Sequence, residues 1–275
     1  MMRTEPRKIC AIGQITGVDA EGYIINPCAK ERIVSPWRDA VDAVVSLCRR
    51  SLGPSLHSIY LRGSVPRGGA IEGVSDIDTV CILSKPPPVL PERWPARLES
   101  VVMDRHPFCT GVELRVLPLG ALMHAPEAAH LRFLLKTQGL CEWGADLIAN
   151  LPPCTLAEAR IALNGLESAI AQVRDLIEHS PAINTRGVSR RCLWISKKIV
   201  RAGFELVASS ERAYTRDLYP CWEAFGRHYP DMADAMKDVL CLAINPTSDR
   251  ERIAGCLDTG ERIVALGRRT EPHLN

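Results

Sequence analysis

Apolar residues in the first half of the chain recur at two different periods, and the alternation between the periods outlines a fold. Trp37, Val41, Val44, Val45 and Cys48 form a helical stripe, opened by Ser35 and Pro36 and stopped by Gly53. Ile59 to Arg62, the apolar run Val80 to Leu83, and Gly111 to Leu117 read instead as strands. In the last of these Val112, Leu114 and Val116 alternate with Glu113, Arg115 and Leu117. Residues 8–26 read as a hairpin turning at Asp19 to Gly22, and Ala96 to Arg105 as a helix. Lys85 to Pro91, with four prolines, has to loop out. Residues 120–150 carry a helical pattern broken near Gly139 to Gly144. The order hairpin, helix, strand, turn, strand, helix, strand predicts a small α/β (α+β) domain with a mixed sheet.

From Leu151 onward the pattern changes to helices alone, expected over 155–179, 189–208, 217–228, 231–243 and 248–268. Leu151-Pro152-Pro153-Cys154-Thr155 reads as the boundary, with Thr155 and Glu158 as a capping box behind it. The expected domains are therefore residues 1–150, α/β, and residues 151–275, an all-α helical bundle.

Composition narrows the function classes. In 275 residues, 46% are hydrophobic, 24% charged and 5% aromatic, and the formal charge is +2, which gives no mandate for a polynucleotide partner. Eleven cysteines lack any Cys-x-x-Cys pair, so they read as reduced thiols, several of them small core hydrophobes, and structural zinc is not expected. Met1 to Pro6 lacks the apolar run of an export signal and no stretch is long enough to span a bilayer, so a cytoplasmic protein is expected.

The chemistry concentrates between Tyr60 and Leu83. Gly63-Ser64 forms a turn suited to an anion, and after eleven intervening residues come Asp76 and, two positions on, Asp78. Positions i and i+2 of a strand share a face, so the two carboxylates project together and require a cation between them. Magnesium carrying phosphates suits that arrangement. The spacer reads as a turn and the start of a helix.

Gly-Ser, a spacer of this length, and Asp-hydrophobic-Asp at the start of the next strand resemble the signature of the DNA polymerase beta-like nucleotidyltransferase superfamily. Glu113, in a Glu-hydrophobic pair one strand further on, resembles a residue of the aminoglycoside nucleotidyltransferases that modify streptomycin and spectinomycin. The segment Leu140 to Leu147 is weakly similar to one that closes their catalytic domain. Two positions depart from the pattern: Arg62 stands where an apolar or aromatic residue is frequent, and Thr79 where an apolar one is expected.

The resemblance implies that Asp76, Asp78 and Glu113 hold two magnesium ions, with Glu113 as general base; Asp104 is the rival for that third carboxylate. It implies that Gly63, Ser64 and Arg67 bind the nucleotide, and that a nucleoside monophosphate, expected to be AMP from ATP, passes to a hydroxyl of a small molecule as pyrophosphate leaves. An acceptor on protein or RNA, or a nucleotide-binding module without turnover, stays open. In the bundle, Arg190, Lys197 and Arg201 gather opposite a buried stripe of Ile195, Ile199, Ala202 and Leu206. Relatives commonly place a lysine there on the triphosphate, which makes Lys197 the candidate; a solvated face is the plainer reading, and Lys198 flanks the stripe. Tyr214 to Asp217 reads mainly as helix capping, and the Arg174 to His179 pattern of helical RNases reads as coincidence.

Overall fold

A computed structural model describes residues 7–87, 89–179 and 184–270. The chain folds as two compact units: Ile25–Cys154, and a second that joins the N-terminal residues up to Ile24 to everything from Thr155 onward. The sequence placed that N-terminal segment with the first domain and expected a hairpin there. The turn exists, with Tyr23 and Asp19 bonded across it, but residues 9–15 form no strand. A two-residue strand β1 (Thr16–Gly17) pairs instead with a strand from the helical region.

The α/β unit opens with α1 (Trp37–Leu52), which begins one residue after Pro36 and ends where Gly53, at φ +51°, returns its N–H to the Arg49 carbonyl. Strands β2 (Leu56–Arg62) and β3 (Ile77–Leu83), helix α2 (Trp94–Arg105) and strand β4 (Val112–Pro118) follow. Pro88, inside the proline-rich connector, lies outside the described residues. Helices α3 (Leu119–His124) and α4 (Ala129–Gln138) lead to β5 (Gly139–Gly144). The sequence reads this last segment as a break between helices. The structure makes it the edge strand, because Leu140 and Cys141 pair with Leu61 and Tyr60 of β2.

The sheet order is β4-β3-β2-β5, with β3 and β4 parallel and the other neighbours antiparallel. Helices cover both faces. Trp37, Val41, Val44 and Cys48 of α1 and Trp94, Leu98 and Val102 of α2 bury Ile59, Leu61, Ile77 and Cys81. Leu122 of α3 and Leu131 and Leu135 of α4 bury Tyr60, Val80 and Ile82. The strict alternation of the two sets along β2 and β3 is the period of two that the sequence shows.

The second unit contains α5 (Leu166–His179), α6 (Thr185–Glu211), β6 (Ala213–Tyr214), α7 (Leu218–His228), α8 (Ala233–Ile244) and α9 (Arg250–Thr270). Their apolar stripes meet in one core built on α6, around Ile195, Ile199, Phe204, Phe225, Met236 and Ile253. Helix α5 starts eleven residues later than Thr155. The capping pair does form, since Glu158 accepts both the backbone N–H and the hydroxyl of Thr155, but it closes a single 3-10 turn, Ala157–Ala159. Beyond that turn the backbone N–H groups of Ala162 and Leu163 donate to Glu205 of α6 at 2.9 and 2.7 Å. A tertiary partner takes them where a helix would have used them internally. Among the described residues no helix is long and apolar enough to cross a membrane. Seven cysteines are buried, from Cys48 to Cys256.

Candidate active site

Register decides which charged side chains meet. Asp78 lies opposite Arg62 across the antiparallel β2–β3 pair and opposite Glu113 across the parallel β3–β4 pair. All three share the parity of Tyr60, Val80, Ile82 and Leu117, so they stand on the face that α3 and α4 cover further along the strands. An Nη2 atom of Arg62 lies 2.8 Å from Oδ1 of Asp78 and 3.0 Å from Oε1 of Glu113. The side chain of Asp78 is 15% exposed and that of Glu113 60%. One carboxylate is thus sunk at the strand start and the other reaches toward solvent beside it. Asp104, the rival third carboxylate, is exposed on α2, which packs on the opposite face of the sheet.

The Gly-Ser turn sits directly against this pair. Gly63 has φ +82°, and a Cβ there would lie 2.3 Å from Oδ2 of Asp78, so no other residue fits. The spacer corrects one expectation: residues 65–68 and 72–74 are turns and contain no helix. They are held by specific bonds. The Gly69 N–H reaches the Ser64 carbonyl, and the Ser64 hydroxyl meets that of Ser75 at 3.1 Å. Thr110 donates through N–H and hydroxyl to the Ser75 carbonyl, and Ile77 donates to Gly111. This lacing fixes where β3 begins, with Asp76 exposed on the residue before it. Arg67 is only 7% exposed and donates through Nε to the Gly63 carbonyl at 2.8 Å. That bond is to the backbone of the turn.

Burial raises the Asp78 carboxyl to about 6; Arg62 opposes the rise, and the charges of Asp76 and Glu113 add to it. Two neighbouring acids that share one guanidinium form a site with an excess of negative charge. Among the described residues, no three His, Cys, Asp or Glu side chains are gathered as an ion-holding group. The geometry explains why, since Arg62 stands between two of the expected ligands and Asp76 turns to solvent. The donors nevertheless fit magnesium in kind: carboxylate oxygens, partly open to water, beside a turn that leaves room for no side chain.

Comparison with known proteins bears on the fold. No family model matches the chain, and no curated protein matches it. Among solved structures it is similar to the spectinomycin adenyltransferase AAD(9) from Enterococcus faecialis, solved with ATP and spectinomycin. That likeness has a TM-score of 0.51 at 11% identity and covers 82% of this chain and 98% of that one. The chain shares the fold of that adenyltransferase. A nucleotidyltransferase-like protein from Exiguobacterium sibiricum is similar at a TM-score of 0.30 and 12% identity, over 82% of this chain and 74% of that one, too low to carry weight. The mixed sheet followed by a helical region is thus the architecture that the resemblance implied.

The remaining candidates lie in the helical unit. Lys197 is half-buried on α6 and Arg190 is exposed there. Arg201 does not belong to a solvated face: it donates through Nε to the Arg216 carbonyl, and burial, with Arg216 adding, lowers its pKa to about 10. Lys198 is half-buried with Nζ 3.5 Å from the Asn164 carbonyl, and burial lowers its pKa. Thr215 and Asp217 tie down the N-terminal segment, through the Thr215 hydroxyl to the Gln14 carbonyl and from the Gln14 N–H to Asp217. Arg174 pairs with Glu261 and Asp258 of α9, which is a structural use of the Arg174 to His179 pattern. Sequence reasoning noticed Arg62 only as a departure. Its parity with Asp78 was the available signal, but the partner became visible only with the strand register.

Proposed function

We propose that the chain is a divalent-metal-dependent nucleotidyltransferase that moves AMP from ATP to a hydroxyl of a small molecule. The observation that carries this reading is the convergence of Asp78 and Glu113 at one strand end, packed against the Gly63 turn. The shared fold with an adenyltransferase solved with ATP and spectinomycin supports the reading in kind.

Asp78 and Glu113, with Asp76 beside them, would hold magnesium, which when bound supplies charge neutralisation and a Lewis acid at the phosphates. The chain's own contribution is positional. The turn at Gly63 and Ser64 brings the polyphosphate close to the carboxylates, because only glycine leaves that space open. Glu113, whose side chain is 60% exposed, accepts the proton of the acceptor hydroxyl at a carboxylate oxygen. The freed oxygen forms a bond to the α-phosphorus of ATP, the bond from that phosphorus to the bridging oxygen of the β-phosphate breaks, and pyrophosphate leaves. Arg67, bonded to the Gly63 carbonyl, stiffens the turn during these steps.

The test uses ATP labelled at the α-phosphate, magnesium, and a panel of aminocyclitol and aminoglycoside alcohols that includes spectinomycin and streptomycin. Label is expected in an acceptor with the unaltered chain and not with Asp78→Asn or Glu113→Gln. Equal pyrophosphate release by the unaltered chain and Asp78→Asn would overturn the proposal.

A further inference from the structure

We propose that Arg62 is a built-in competitor of the divalent cation, holding Asp78 and Glu113 until a metal displaces it and so setting the metal concentration at which the site loads. The proposal deepens the reading above and rests on it, since it takes these two carboxylates as metal ligands.

Three observations point the same way. A single Nη2 of Arg62 bridges both carboxylates at 2.8 and 3.0 Å, which is the position of a shared cation. Its side chain is 26% exposed, so it has an open route to water and is not locked in by packing. The third observation is charge. Asp78 is mostly buried beside Glu113 and near Asp76, and Arg62 is the cation that opposes their effect on it. Without Arg62 the two neighbouring carboxylates would repel in a partly dry setting; with it, a metal must break two charge-assisted hydrogen bonds before it binds. An uncharged side chain at this position imposes no such barrier.

Binding of Mn2+, followed by electron paramagnetic resonance on the full chain without nucleotide, reads the competition directly. Arg62→Leu and Arg62→Gln are each expected to bind Mn2+ about tenfold more tightly than the unaltered chain, a difference of about 1.4 kcal/mol. In the same variants the melting temperature without metal should fall and its rise with added magnesium should be larger, because repulsion between Asp78 and Glu113 then replaces the bridge. Adding Asp78→Asn to Arg62→Leu should abolish the tight binding, which locates the ion. Equal or weaker Mn2+ binding in both Arg62 variants, with binding still lost in Asp78→Asn, overturns the role of Arg62 and leaves the metal site intact. Absence of Asp78-dependent binding in every variant overturns both. Tighter binding without any transfer of labelled AMP leaves the role of Arg62 standing and removes the proposed reaction.

Discussion

Asp78 in the sheet unit and Glu205 in the helical unit are both buried carboxylates, and burial pushes both upward, to about 6 and about 7. What differs is how each is completed. Glu205 is 8% exposed and receives one backbone N–H on each oxygen, from Ala162 and Leu163, with Arg216 and Lys198 adding favourable charge. Both of its oxygens thus have partners from elsewhere in the chain. Asp78 faces two further acids and one arginine, and its second oxygen lies against a glycine. The first is a structural device that joins the 160s segment to α6. The second is an arrangement with more acids than the one arginine beside them. Buried charge alone therefore does not mark a functional site; an incomplete set of partners does.

The comparison breaks most visibly if Asp78 can be neutralised without consequence. Asp78→Asn is expected to lower label transfer from ATP by about a thousandfold or more, which corresponds to about 4 kcal/mol of lost transition-state stabilisation. Its melting temperature should stay level or rise, because a buried charge beside other acids is removed. A large loss of stability in this variant would place Asp78 with the structural carboxylates.

Glu205→Ala should behave in the opposite sense. It leaves the N–H groups of Ala162 and Leu163 without their acceptor in a buried setting, at a cost of about 2–5 kcal/mol. The midpoint of urea unfolding reads that loss, while label transfer per folded molecule stays the same. A stable Glu205→Ala variant with lost transfer would reverse the assignment.

A smaller effect of the same residue separates the two by pH. The folded chain raises Glu205 from 4.5 to about 7, so the fold binds its proton more strongly than the unfolded chain does. Its contribution to stability is complete below about pH 4.5 and is lost as pH rises through about 7, a decline on the order of 3 kcal/mol. Unfolding free energies measured from pH 4 to 8 should show that decline beside the one of the same sign from Asp78, and Glu205→Gln should remove its own share. A decline that persists unchanged in the Gln variant belongs to another group.

These contrasts also show what could be read from the sequence and what could not. Helix α1 and strands β2 to β4 were legible because each carries its own period and its own stop, and the Gly63-Ser64 and Asp76-Asp78 spacing singled out the strand end where Asp78 and Glu113 meet. Strand β5 was not, because Leu140 to Trp143 is a short, half-buried edge whose partner β2 lies some eighty residues earlier. The late start of α5 was hidden for a related reason: the acceptor that unwinds residues 160–165 is Glu205, which no local pattern announces. The short β1–β6 ribbon joins residues 16–17 to 213–214 and is likewise a long-range choice. Arg62 belongs to the same class. Its type was visible, but its meaning depended on which residue of β3 stands opposite it.

The smallest predicted effect concerns Thr79, the other departure from the expected pattern, and it tests incompleteness without charge. Thr79 is 1% exposed on the face of β3 that α1 and α2 cover, and among the described residues its hydroxyl has no hydrogen-bond partner. A buried hydroxyl left unpaired loses its hydration without return, so an apolar group of the same shape should be preferred. Thr79→Val is therefore expected to raise stability by about 1 kcal/mol, read as a higher urea midpoint at unchanged slope. Its neighbour Asp78 points to the other face, so label transfer should stay at the unaltered level. Destabilisation by Val would mean that the hydroxyl does have a partner, such as a buried water, and that this position is complete in the way Glu205 is. A fall in transfer at unchanged stability would mean that the core beneath β3 positions Asp78 more finely than strand register alone requires.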